Sequence, residues 1–129
     1  MSPRTTILAA ALLAALAVGL GAGAAHALHD TLDQRDQLAN WNTAVRYQMW
    51  HALALLVLGF ARETRPGLRF ACAALLVGSV LFSGSIYCLA FGVLRPVMGP
   101  LTPLGGVTML AGWISVASWA LRRGPTQAA

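Results

Sequence analysis

FACAALLVGSVLFSGSIYCLAFGVL, residues 70 to 94, is a run of 25 residues without a formal charge. As an α-helix rising 1.5 Å per residue it would be about 37 Å long, more than the roughly 30 Å hydrocarbon layer of a bilayer. Its hydrophobicity is unbroken and does not alternate, so it does not read as one of the short strands of a membrane barrel. It reads as a membrane-spanning helix, and the rest of the chain repeats the pattern. Nine arginines and four acids are the only charged residues among 129, and they leave three further uncharged stretches, 5 to 29, 47 to 61 and 96 to 121. The stretch from 47 reaches spanning length once Trp41 to Arg46 are added. With 57% hydrophobic residues and 10% charged, against about 25% charged in an ordinary soluble chain, an aqueous enzyme core is excluded. The expected fold class is an all-α membrane protein, a four-transmembrane-helix bundle. It forms a single integral membrane domain, residues 1–129, with spans at about 5–28, 41–61, 70–94 and 103–121.

Local signals set those boundaries. The segment from Asp30 to Ala44 carries three acids and one arginine and must lie outside the hydrocarbon. Leu38, Trp41 and Val45 recur at helical spacing, so the second helix can begin within that segment, with Trp41 at the interface and Arg46 snorkelling outward. Pro66-Gly67 breaks the chain before the third span. After Arg95-Pro96 the chain is expected to turn through Gly99-Pro100-Leu101. Thr102 then serves as N-cap and Pro103 as the first helical residue, where a missing amide hydrogen costs nothing.

All nine basic residues are arginine, and the net charge is +5. Arg4, the 62–69 loop with Arg62, Arg65 and Arg69, and Arg122 with Arg123 fall on one side of the membrane. Arg35, Arg46 and Arg95 fall on the other, beside Asp30, Asp33 and Asp36. Arginine-rich short loops stay inside, so both termini are expected to be cytoplasmic and the protein to be a multi-pass protein of the inner (plasma) membrane. The basic balance is a topology signal, and nucleic acid is not an expected partner. Arg4, the apolar run from Ile7 and Ala25-His26-Ala27 also resemble a signal peptide with its cleavage site. The favoured reading is retention, because Ala11, Ala15, Gly19, Gly23 and Ala27 recur every fourth residue. They form a small-residue ridge against which another helix, of this chain or another, can pack closely.

Polar side chains inside membrane helices are costly and need partners. His51 lies in the second span, with Tyr47 one turn earlier on the same face and Gln48 and Arg46 flanking near the surface. The third span offers Ser79, Ser83, Ser85 and Tyr87, and His26 ends the first. A candidate polar cluster of His26, Tyr47, His51, Ser83 and Tyr87 follows. In it a buried, neutral His51 bonds to a serine or tyrosine of the third span or to the region of His26. Its preferred role is packing between helices; a proton, ligand or haem site is the sharper alternative. Arg46 is read as an anchor. Ala15, Gly19, Gly23, Gly78 and Gly112 are candidate helix-packing positions, as are Gly105 and Gly106. Cys72 and Cys88 stand sixteen residues apart in one predicted helix, about 24 Å, too far to bridge. No catalytic set, metal cluster or cofactor motif assembles within the spans, so no enzyme activity, metal or cofactor is expected.

Four segments, GAGAAH (21–26), WNTAVRYQMWHALAL (41–55), LFSGSIY (81–87) and GPLTPLGG (99–106), together resemble the small four-helix membrane proteins grouped as domain of unknown function 423. The resemblance runs from about Ala9 to Trp119 with the motifs in order. It implies four spans and a retained first helix, and it implies no particular activity. The functional expectation is a non-catalytic interaction or assembly partner, embedded in the lipid bilayer and associating with other membrane proteins or itself. The alternatives are a small transporter or channel using the His51 face, and a membrane redox or quinone-binding subunit using His26, Tyr47 and His51.

Overall fold

Ser2 is the first residue with a structural task. Its hydroxyl accepts the Thr5 amide at 3.1 Å, and Pro3 follows at a position that needs no amide donor, so a helix starts at once. The computed structural model describes residues 1–62 and 66–122, and every regular element among them is helical. α1 runs Pro3–Ala25, a short α2 His29–Gln34, α3 Leu38–Ala61, α4 Arg69–Ala90 and α5 Arg95–Arg122, with one 3₁₀ turn at Pro66–Leu68 before α4. Four of these, all but α2, are long and apolar enough to cross a membrane.

Backbone reversals end three of the helices, two of them before the expected boundary. α4 stops at Ala90, short of Leu94, because Gly92 adopts φ +75°. The Val93 amide then reaches Cys88 O and the Gly92 amide reaches Leu89 O, both at 2.9 Å, which satisfies the last carbonyls of the helix. Asp36, at φ 54°, ends α2 in the same way, with the Gln37 amide on Leu32 O. α1 ends at Ala25, not at Leu28, with the Leu28 amide turned back onto Gly23 O.

The fourth span differs more. α5 begins at Arg95, eight residues before the expected start at 103, so Thr102 is not an N-cap and Pro100 and Pro103 lie inside the helix. Each proline removes one helical hydrogen bond but leaves the remaining ladder able to continue. Here Thr102 Oγ1 sits 3.3 Å from Met98 O and 2.7 Å from Ser85 Oγ, which ties the proline-rich turn to α4.

The spanning helices pack in chain order, α1 on α3, α3 on α4 and α4 on α5, while α1 and α4 meet only sparsely. Toward the end that carries Met1, a core of Ala10, Leu13, Ala52, Leu55, Cys72, Leu75 and Met109 draws on all four. Toward the other end, α2 closes the bundle with Leu32 against Trp41, Ala24 and Ala90. Glycine permits the closest approach. A Cβ built on Gly78 would stand 2.7 Å from Met109 N, one on Gly105 would collide with the Phe82 backbone, and one on Gly112 would stand 2.8 Å from Leu75 Cγ. Gly59 does the same for α3 against Ile7 of α1, at 2.8 Å, whereas Gly106 meets only the Phe82 ring at 3.9 Å.

The small ridge of α1 does not pack inside the bundle. Ala11, Ala15, Gly19 and Ala27 are exposed, a Cβ on Gly19 would meet nothing within 4 Å, and Gly23 contacts only the nearby Leu28. α1 packs instead through Thr6, Ala10, Leu13, Ala17 and Ala24. These lie about 150° around the helix from the ridge, nearly opposite it, since each residue advances the helix by 1/3.6 of a turn. Small residues occur on both faces of α1, so spacing alone does not select the buried one. Among the described residues no helix lies against the ridge.

Candidate functional site

α3 carries the polar side chains that matter, on two adjacent faces. Ala44, Gln48 and Ala52 turn toward α1 and α4; Tyr47 and His51 turn toward α4 and α5. The five residues expected to form one cluster are therefore divided.

On the first face Gln48 is 4% exposed and bridges three helices. Its Nε2 donates to Leu13 O at 2.9 Å, and its Oε1 accepts from the Tyr87 hydroxyl at 2.9 Å. One turn away, Ser83 Oγ donates to Ala44 O at 2.9 Å. Tyr87 also rests against Trp41, with centroids 4.6 Å apart, and the Trp41 indole donates to Leu20 O at 3.0 Å. The reading of Gln48 as a flanking surface residue is thus corrected. An amide in an apolar span has to find partners, and that rule applied to Gln48 would have placed it inside.

On the second face His51 is buried at 6% exposure. Its Nδ1 lies 2.7 Å from Tyr47 O, and its Nε2 accepts from the Trp113 indole at 3.2 Å. A carbonyl can only accept and an indole can only donate, so this pair of partners assigns the proton to Nδ1 and makes the ring neutral. The expected partner, a serine or tyrosine of the third span or His26, is not the one found. Ser83 and Tyr87 are engaged with Ala44 and Gln48, and the glycine contacts of α4 with α5 bring Trp113 alongside instead. The missed signal was Trp113 itself, an indole deep in a span that needs an acceptor. His26 joins neither group. It is exposed at the C-cap of α1, where its amide reaches Ala22 O.

A third polar contact was also unforeseen. Arg62, counted in the sequence as a loop charge, is 6% exposed. Its guanidinium donates to Thr6 Oγ1 at 2.8 Å and to Met1 O at 2.7 Å, and so fastens the end of α3 to the start of α1.

Two recesses flank α3. A groove of about 200 Å³ opens between α1 and α4, with Gln48, Ser79 and Ser83 at its floor and Leu16 and Val80 at its mouth. A wider cleft of about 470 Å³ lies over Tyr47, Trp50, His51, Phe82 and Trp113. Tyr47 stacks on His51 at 6.1 Å and 21°, and its ring is 4.9 Å from Phe82. Chemically, the second cleft offers aromatic faces with both imidazole nitrogens already bonded, and the first offers hydroxyl and amide groups behind an apolar entrance.

Sequence comparison identifies relatives. A family model described as "Protein of unknown function (DUF423)" matches residues 20–106. A "UPF0382 membrane protein" of Staphylococcus epidermidis is 42% identical over 109 residues, 84% of this chain and 88% of the relative. A "UPF0382 membrane protein" of Schizosaccharomyces pombe is 41% identical over 117 residues, 83% of this chain and 93% of the relative. The "UPF0382 inner membrane protein YgdD" of Escherichia coli is 39% identical over 125 residues, 95% of this chain and 93% of the relative. No solved structure matches the chain.

Proposed function

Because the chain belongs to the DUF423 family, and its relatives are named UPF0382 membrane proteins, we propose that it acts in the membrane as a non-catalytic interaction or assembly partner. The observation that carries this reading is the exposed α1 ridge of Ala11, Ala15 and Gly19, with open space over Gly19. Small residues on an outward face let another transmembrane helix approach closely, and lipid gains nothing from their alignment. The polar side chains support the same reading. His51, Gln48, Ser83 and Tyr87 are bonded across or along helices and so tie the bundle together. The partner is another membrane protein or a second copy of the chain.

The proposed address is the inner membrane with both termini cytoplasmic, on the arginine asymmetry. Retention of α1 belongs to the proposal. Cleavage after Ala27 would remove the acceptors of Trp41 and Gln48 and the Thr6 contact of Arg62 together.

The test is a tagged full chain extracted in mild detergent, with co-purifying subunits identified by mass spectrometry. Specific membrane partners or a stable homo-oligomer are expected. Gly19→Leu should remove them while leaving the thermal unfolding of the protein unchanged. A monomer without partners, or association indifferent to Gly19→Leu, overturns the proposal.

A further inference from the structure

Ser79 stands at the middle of α4, ten residues after Arg69 and eleven before Ala90, so its hydroxyl is about 15 Å from either end of the helix. It is 1% exposed, it lies in the wall of the groove between α1 and α4, and its Oγ has no hydrogen-bond partner among the described residues. Neighbouring polar groups in the wall are only partly used. Gln48 Nε2 gives one hydrogen to Leu13 O and retains a second, while Tyr87 donates its only proton to Gln48. Ser83 has given its proton to Ala44 O, so the mainly apolar wall keeps two unused hydrogens, on Ser79 and Gln48, carries no charge, and lies near the centre of a roughly 30 Å hydrocarbon layer.

We propose that this groove binds a lipophilic quinone, a neutral ring with two carbonyls on an apolar tail. The chemistry selects it in four ways. An uncharged, mainly apolar wall with two unused hydrogens, on Ser79 and Gln48, suits a ring that bears carbonyl acceptors. The depth excludes phospholipid ester carbonyls, which stay at the headgroup boundary, and admits a ring that dissolves in the hydrocarbon. A volume of about 200 Å³ exceeds the roughly 150 Å³ that holds a benzene ring but does not admit a transmembrane helix 10 Å across. The mouth opens sideways at Leu16 and Val80, 58% and 52% exposed, so a tail can leave directly into lipid. The site shares Tyr87 and Ser83 with the polar residues noted in the sequence but excludes His26, Tyr47 and His51. The inference is one of binding and invokes no electron transfer.

Gly84 supplies the test, because it lines the groove and a Cβ built there meets nothing within 4 Å. The full chain in phospholipid nanodiscs is labelled with a photoreactive azidoquinone, competed with decylubiquinone, and the modified peptides are mapped. Saturable, competed labelling within residues 13–20 and 79–87 is expected. Ser79→Ala should weaken competition by decylubiquinone about tenfold, the effect of one lost hydrogen bond to a buried donor. Gly84→Leu should abolish labelling while elution volume and thermal unfolding stay as in the parent. Labelling that does not saturate, that persists unchanged in Ser79→Ala, that maps to the cleft over Trp50 and Trp113, or that dioleoylglycerol competes equally well overturns the proposal. Should Gly84→Leu fail to fold, the Ser79→Ala competition decides alone.

Discussion

At the level of single residues, what separates Gln48, His51 and Ser79 is how many of their hydrogen bonds are made. Gln48 joins α1 to α4 through two bonds of 2.9 Å. Interhelical bonds in a membrane are worth about 0.6 kcal/mol each, so Gln48→Leu should cost on the order of 1 kcal/mol in a reversible detergent-unfolding titration. A loss many times larger would mean that the amide has further partners. Trp113→Phe keeps the ring against His51 but removes its donor, and a loss of about 0.6 kcal/mol is expected by the same measurement. Ser79→Ala should leave stability unchanged or raise it, because a buried hydroxyl without a partner costs about 1–3 kcal/mol. These expectations were partly legible in the sequence. That His51 would be buried, neutral and bonded follows from a histidine within an apolar run. Its partner does not follow, because several donors stood at compatible depths and only the packing of α5 selected Trp113.

Whole helices differ most in how closely their backbones meet. α4 and α5 approach through Gly78, Gly105 and Gly112, and a methyl group on Gly105 would strike the Phe82 backbone. Backbone cannot rotate away as a side chain can, so Gly105→Ala should destabilise the protein by about 1–3 kcal/mol, the usual penalty of overpacking. Gly19→Ala is the control. With nothing within 4 Å of the new methyl group, it should be neutral or stabilising by up to about 1 kcal/mol through helix propensity. Equal effects at the two positions, read by thermal unfolding in detergent, would contradict the assignment of the buried faces. The sequence marks all these glycines alike. Gly78 and Gly112 were named as packing positions and lie at close contacts, whereas Ala15 and Gly19, named on the same grounds, face outward. The four-residue period identifies a ridge but not its direction, because α1 also carries Ala10, Ala17 and Ala24 on the face that α3 covers.

For the molecule as a whole, the first helix is a structural member with hydrogen-bond and packing partners along its length. N-terminal sequencing of the mature chain should therefore find no new terminus at Leu28. If that terminus is found, the donors of Trp41 and Gln48 must have other partners in the mature protein. The four spans and their order were determined by sequence alone, since arginines and acids cluster between apolar runs and a charged residue at the bilayer centre is too costly to misplace. Helix ends were less determined. Prolines that would stop a helix in water were accommodated in α5, where Thr102 and Ser85 bond close to the proline-rich turn. Only the tertiary structure decided which face of each helix is buried, that Gln48 and not His26 belongs to the polar interior, and that α1 and α4 leave a groove between them. The physical reason is that an apolar span is compatible with lipid on every side. Hydrophobicity therefore cannot orient such a helix, and its facing is left to glycine contacts and to the few polar groups that must find one another.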